Sequence, residues 1–313
     1  MSDAGGRVGV LVMAYGTPAG PDDVERYYTH IRHGRPPAPE QLEDLQMRYA
    51  AIGGISPLLE ITRAQMAGIT DGLEAAAPGR FVLALGQKHA APFIEDGVAA
   101  LCAAGVERIV GLVLAPHYAT VSIADYARRA QAAAADRVPV SVVRSWHLAP
   151  GFIDLVAGDL REQVASLGGP DRCHVIFTAH SLPARILELD DPYPAQLAET
   201  AEALAARAGI DRWSIAWQSA GRTEEAWIGP DLLEVMGRLA GHGTEAIVVC
   251  ACGFIADHLE VLYDLDIEAQ ARADDLGIGF ARTRSPNADP ALTDTLAEIV
   301  LAEAAVAAAG ATG

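Results

Sequence analysis

The chain has 313 residues, enough for one large or two ordinary domains with a substantial buried core. Its 41 Asp and Glu outnumber 23 Lys and Arg, and a net charge of −18 argues against nucleic-acid partners, whose binding needs a basic footprint, without forbidding a local basic pocket. Four scattered cysteines, Cys102, Cys173, Cys250 and Cys252, make neither a disulfide framework nor a Cys-x-x-Cys pair.

Met1–Arg7 leads straight into an apolar run without a secretory leader pattern, and no apolar stretch approaches the roughly 20 residues that span a bilayer. A cytoplasmic protein with no transmembrane segment is expected. Short β-rich runs then follow at Val8–Met13, Phe81–Leu85, Arg108–Leu114, Val140–Arg144, His174–Thr178, Ser214–Trp217, Ala246–Cys250 and, more weakly, Ile278–Ala281. Between them lie helical patterns such as Ile61–Ala77, Ile94–Ala104, Ala195–Ala208 and Asp231–Ala240, and the Ala-rich tail Leu301–Gly310 also reads as a helix. Near-continuous apolar strands alternating with helices imply α/β architecture with parallel sheets covered on both faces. Eight strands could form one sheet, a barrel or two four-stranded halves. Two halves are favoured, because Pro150-Gly151 interrupts the pattern and each half opens with a strand running into a polar loop. Those loops are Met13-Ala-Tyr-Gly-Thr-Pro18 and Thr178-Ala-His-Ser-Leu-Pro183.

Ligands of open α/β sheets bind beyond the carboxyl ends of the strands, which gives weight to Tyr15, Lys88, His89, His117, His180, Trp217, Gln218 and the Phe254–Glu260 stretch. No Gly-x-Gly-x-x-Gly follows a strand and no Walker-type loop is present, so a nucleotide-phosphate cradle is not expected. Glu260, Asp264 and Glu268 stand four residues apart. On an α-helix that step turns by only ~40° and rises ~6 Å, so the carboxylates would climb one face. Such a ladder is either a solvated acidic face or a cation site. His180, at a strand end, can bind a borderline metal or take a proton near neutral pH. Ser181 beside it lacks the Gly-x-Ser-x-Gly elbow of a hydrolase nucleophile. The segment Arg26–Arg35 holds three Arg and two His without an acid, which suits a carboxylate or phosphate ligand as well as a plain basic surface. Cys250 and Cys252 read as packing thiols.

Several motifs together resemble the ferrochelatases. They are Val10-Leu-Val-Met-Ala-Tyr-Gly-Thr-Pro18, Arg26-Tyr-Tyr-Thr-His-Ile-Arg32, Arg48-Tyr-Ala-Ala-Ile-Gly-Gly-Ile-Ser-Pro-Leu58 and Ala179-His-Ser-Leu-Pro183. Asp191-Pro-Tyr-Pro194, Trp217-Gln-Ser219, Trp227-Ile-Gly-Pro230 and Gly253-Phe-Ile-Ala-Asp-His-Leu-Glu-Val-Leu-Tyr-Asp264 extend the likeness over nearly the whole chain. It is strongest to bacterial coproporphyrin III ferrochelatases. The resemblance implies two Rossmann-like halves, each with a four-stranded parallel sheet flanked by helices, and a porphyrin cleft between them. The expected division is 1–148 and 149–285, with a helix within 286–313 packing back on the first half. It implies that His180 and Glu260 face the metal as the catalytic pair. Tyr15, Arg32, Arg48, Tyr49, Ser56 and Tyr126 would contact the porphyrin and its propionates. Asp264 and Glu268 would serve a second, hydrated divalent ion such as Mg2+. Substrates would be coproporphyrin III and Fe2+, with no tightly bound cofactor. Some relatives carry a [2Fe–2S] cluster on C-terminal cysteines, but no Cys follows Cys252, so none is expected here. A monomer making transient contact with other haem-pathway enzymes is expected. Two alternatives stay open, a protoporphyrin IX ferrochelatase and a non-catalytic haem or porphyrin carrier.

Overall fold

The computed structural model describes residues 6–221 and 225–310. The chain forms two compact units. The first takes residues 6–115, 120–146 and 287–310, and the second takes 116–119, 147–221 and 225–286.

In the first unit, strands β1 (Val8–Ala14), β2 (Phe81–Gln87), β3 (Arg108–Val113) and β4 (Val140–Val142) form one sheet in the order β2-β1-β3-β4. All neighbours run parallel, with Val8 opposite both Phe81 and Arg108. β1 is buried along its whole length, as a central strand covered on both faces must be. The helix Leu58–Ala76 lies against the C-terminal helix Pro290–Gly310. Gly68 makes that approach close, since a Cβ there would sit 2.6 Å from Thr293 Oγ1.

The second unit repeats the plan. Strands β5 (Cys173–His180), β6 (Trp213–Gln218), β7 (Ala246–Cys250) and β8 (Gly279–Arg282) form a parallel sheet in the order β6-β5-β7-β8. Adding four to each strand number of the first order gives the second, so the two opening loops noted in the sequence follow equivalent central strands. Every strand run expected from the sequence is present; β1, β2, β5 and β6 extend beyond it by one to three residues, β3 and β4 stop one and two residues short, and β8 is displaced by one. No helix among the described residues is long and apolar enough to cross a membrane.

One local expectation is corrected. The acidic ladder does not ride a continuous α-helix. An α-helical turn, Leu259–Tyr263, passes into a π-helical turn, Asp264–Ala269, and then back to α-helix over Gln270–Leu276. Val261, Leu265, Ala269 and Ala273 are fully buried against β7, Ile176 and the helix Leu232–Gly241. That buried stripe has a four-residue period. A four-residue step overshoots a full turn in an α-helix but falls short of one in a π turn, where bonds run from i to i+5. The two drifts offset one another, which keeps both the apolar stripe and the adjacent carboxylates in line. Polar contacts hold the widened turn. Ser219 Oγ donates to Asp264 Oδ2 at 2.5 Å, and Arg282 grips Asp266 through Nε and Nη2 at 2.5 and 2.8 Å.

Candidate active site

His180 ends β5 because the apolar strand stops there and the chain turns at Ser181-Leu182-Pro183. The β5 and β6 ladder pairs His180 with Gln218, and Ser181 N–H donates to Gln218 O at 2.7 Å. Tyr193 Oη donates to the His180 carbonyl at 3.0 Å, fixing the strand end from the other side. Thr178 Oγ1 donates to Gln218 Oε1 at 2.8 Å, which turns the Gln218 amide towards the Glu260 carbonyl at 3.4 Å. Gly253 lets the loop after β7 lie against β5, since a Cβ there would stand 2.4 Å from Ala179 Cβ and 2.6 Å from its Cα.

These restraints bring His180 Nε2 to 3.4 Å from Glu260 Oε1. His258 Nε2 approaches the other oxygen, Oε2, at 3.5 Å. Both side chains of the His180–Glu260 pair are about one-third exposed, so the pair is held yet open. The His180 Nδ1–H donates to the neighbouring Ser181 carbonyl, which leaves Nε2 as the reactive nitrogen. His258 is oriented the same way, its Nδ1–H donating to Ala256 O at 2.9 Å. Burial works against the imidazolium of His180, but the facing Glu260 carboxylate outweighs it and the pKa is pushed up to about 9. Burial also works against the Glu260 carboxylate, and the two histidines outweigh that penalty, holding it well below the usual range. At neutral pH the resting pair is therefore imidazolium and carboxylate.

The remaining residues singled out from the sequence fall into distinct settings. Asp264 is buried and engaged with Ser219, and Glu268 is half-buried further along the same segment. Among the described residues, no group of three or more His, Cys, Asp or Glu side chains is close enough to form a ready-made metal cage. In the first unit Tyr15 is 44% exposed, and its ring lies 4.6 Å from that of His89. His89 Nδ1 is 3.0 Å from His30 Nδ1, so one of these nitrogens donates and the other accepts. Burial first, then the neighbouring Lys88, His30, Arg129 and His33, push the His89 pKa down to about 3. Arg32 lies over the Tyr28 ring at 5.7 Å, and Arg48 Nε pairs with Asp44 at 3.2 Å. Tyr49, Ser56 and Tyr126 are buried. Ser56 Oγ accepts from Leu58 N–H at 3.3 Å at the start of its helix, and Lys88 Nζ sits 5.2 Å from the centre of the Tyr126 ring.

Ser181 is buried and gives its hydroxyl proton to Ile228 O at 2.7 Å, so it is no nucleophile. Cys250 and Cys252 are free, buried thiols. His258 is the group the sequence reading left without a role. Its position two residues before Glu260 was the available signal.

A family model described as Ferrochelatase matches residues 7–304. A coproporphyrin III ferrochelatase of Anoxybacillus flavithermus is 46% identical over 300 residues, covering 94% of this chain and 95% of that protein. Coproporphyrin III ferrochelatase 2 of Bacillus cereus is 46% identical over 298 residues, covering 94% and 93%. Among solved structures, the sirohydrochlorin chelatase SirB of Bacillus subtilis in complex with cobalt superposes with a TM-score of 0.58 at 12% identity, covering 94% of each chain. SirB with Fe3+ gives 0.59 at 13%, covering 97% of this chain and 98% of that one. At such identities those two likenesses establish the fold alone.

Proposed function

The chain belongs to the ferrochelatase family, and on that premise we propose that it is a lyase inserting Fe2+ into coproporphyrin III to give Fe-coproporphyrin in haem biosynthesis. The observation that carries the reading is the His180–Glu260 pair, an imidazole and a carboxylate 3.4 Å apart and about one-third exposed at the carboxyl end of a parallel sheet. The names of the relatives favour coproporphyrin over protoporphyrin as the substrate.

Metallation must strip water from the ferrous substrate, present it to one face of the macrocycle and remove two pyrrole protons. The reaction balances as free-base porphyrin plus Fe2+ giving Fe-porphyrin plus two H+. A His–carboxylate pair offers mixed N and O donors, which hold a borderline cation without trapping it. His180 rests protonated, so metal capture there expels its Nε2 proton to solvent or to a neighbouring base. Once the ion has moved on, imidazole and carboxylate are both free to take pyrrole protons, and His258 stands ready to share charge on Glu260. Tyr15, Arg32, Arg48, Tyr49, Ser56 and Tyr126 are proposed to bind the macrocycle and its propionates. Asp264 and Glu268 are proposed to hold a hydrated outer cation. Two carboxylates fit Mg2+ chemistry, since that ion keeps several of its waters.

Anaerobic assays with Fe2+ and each porphyrin test the reading. Glu260→Gln and His180→Ala are expected to lower insertion by about 10²–10⁴-fold while porphyrin binding persists. Wild-type rates in both variants would remove the pair from the mechanism, and faster turnover of protoporphyrin IX would overturn the substrate choice. A wild-type protein that binds porphyrin and iron without turnover would be a carrier.

A further inference from the structure

We propose that Arg282 is a positioning residue for metal insertion, pinning the Glu260-bearing segment to the sheet that carries His180 by bridging Asp257 and Asp266. That role presupposes His180 and Glu260 as the insertion pair. Asp257 lies three residues before Glu260, and Asp266 lies six after it. Arg282 Nε and Nη2 donate to Asp266 Oδ1 and Oδ2 at 2.5 and 2.8 Å, and Nη1 stands 3.4 Å from Asp257 Oδ1. One guanidinium thus holds the segment on both sides of the reacting carboxylate.

Apolar packing alone leaves the register of this segment open. The buried Val261, Leu265, Ala269 and Ala273 repeat every four residues, and so do Glu260, Asp264 and Glu268. Burial of such a stripe is non-directional. A small slide or rotation would keep apolar against apolar while carrying Glu260 away from His180. Asp257 and Asp266 are nine residues apart, off that period, and a planar fork meets both in one alignment only.

The fork itself is rooted in the sheet. Arg282 ends β8 opposite Val249 of β7, and Thr283 N–H donates to Val249 O at 2.9 Å. Arg282 Nη1 also donates to Thr283 O at 3.1 Å. β7 pairs with β5, whose last residue is His180, so imidazole and carboxylate share one frame. Asp257 also stands between Ala256 and His258, whose hydrogen bond orients the second imidazole. The Arg282 side chain is only 16% exposed, so solvent and salt screen these contacts little. Burial works against its charge, and Asp266, then Asp257 and Asp159, outweigh that penalty.

The test compares full-length variants in the anaerobic assay with Fe2+ and coproporphyrin III. Arg282→Gln is expected to lower kcat about 10–100-fold while the KM for coproporphyrin stays within about twofold, as for a displaced reacting group. Arg282→Lys keeps the charge without the fork and should not restore the rate. Arg284→Gln is the structural control, since it loses a side-chain tie of 2.6 Å to Asp159 in the same unit and should keep the wild-type kcat. Combining Arg282→Gln with Asp257→Asn and Asp266→Asn removes the unpaired charge but not the displacement, so the rate should stay low. At one fixed pH without porphyrin, the Nε2 15N signals of His180 and His258 should shift in Arg282→Gln and not in Arg284→Gln. Those spectra need no turnover, so a wild-type protein that inserts no iron would overturn the function while the spectra still decide the role of Arg282. Full activity in Arg282→Gln or Arg282→Lys, recovery in the triple variant, or unmoved histidine signals would overturn the proposal. Should Arg282→Gln not fold, Asp266→Asn, which releases the more exposed half of the clamp, decides by the same readouts.

Discussion

His180 donates its Nδ1 proton to the carbonyl of its own neighbour, Ser181, and so turns Nε2 towards Glu260. Orientation is thus secured locally, while the charge is set by a residue from another element. The arginines proposed to grip propionates act differently, because binding them stabilises ground and transition states alike. Arg32→Ala and Arg48→Ala are therefore expected to raise the KM for coproporphyrin about 10–100-fold while kcat moves far less, in line with the worth of a charged hydrogen bond. Steady-state kinetics at saturating Fe2+ checks this, and an unchanged KM would remove either residue from the binding list. Arg48 also pairs with Asp44, so Asp44→Asn should show whether that pairing orients the guanidinium.

At the scale of elements, the acid-bearing segment is held by its underside. Leu265 is fully buried in the cluster formed with Val261, Ala269, Val249 and Met236. Leu265→Ala is expected to cost about 2–5 kcal/mol in urea unfolding, because it removes a core side chain and leaves a cavity. The π turn lies at this residue, so insertion activity should fall together with stability. Gly253 is the complementary case. A methyl group there would collide with the Ala179 backbone, so Gly253→Ala must displace either the loop after β7 or the end of β5. A reduced rate with little change in melting temperature would mark the loop as what moves. An unaltered rate would show that the contact leaves His180 unaffected.

The whole molecule carries acid sensitivity in its buried imidazoles. His89 is 9% exposed, and burial with its cationic neighbours depresses its pKa from 6.5 to about 3. The folded state thus binds fewer protons than the unfolded state below pH 6.5, and stability is lost as pH falls through that value towards 3. The loss from this one residue reaches about 2 kcal/mol at pH 5. His89→Asn should flatten the pH dependence of the unfolding free energy between pH 7 and 5, whereas an unchanged slope would show that His89 is charged in the fold. The −18 net charge acts on the same scale, drawing cations towards the protein and repelling polyanions.

Strand positions were legible in the sequence because they depend on local matters: apolar runs, β-branched residues and the Gly and Pro that stop them. The motif around His180 and the four-residue spacing of Glu260, Asp264 and Glu268 were equally visible. Spacing and periodicity do not reveal that β5 and β7 lie side by side with His180 3.4 Å from Glu260; only the family resemblance pointed to that pair, and the tertiary structure supplies the encounter. It also decided that His258 joins them, that the ladder rides partly on a π turn, and that His117 lies beside His147. The reason is physical. Periodicity and turn chemistry act over a few residues, whereas side-chain encounters depend on parallel crossovers and loop paths that join distant parts of the chain.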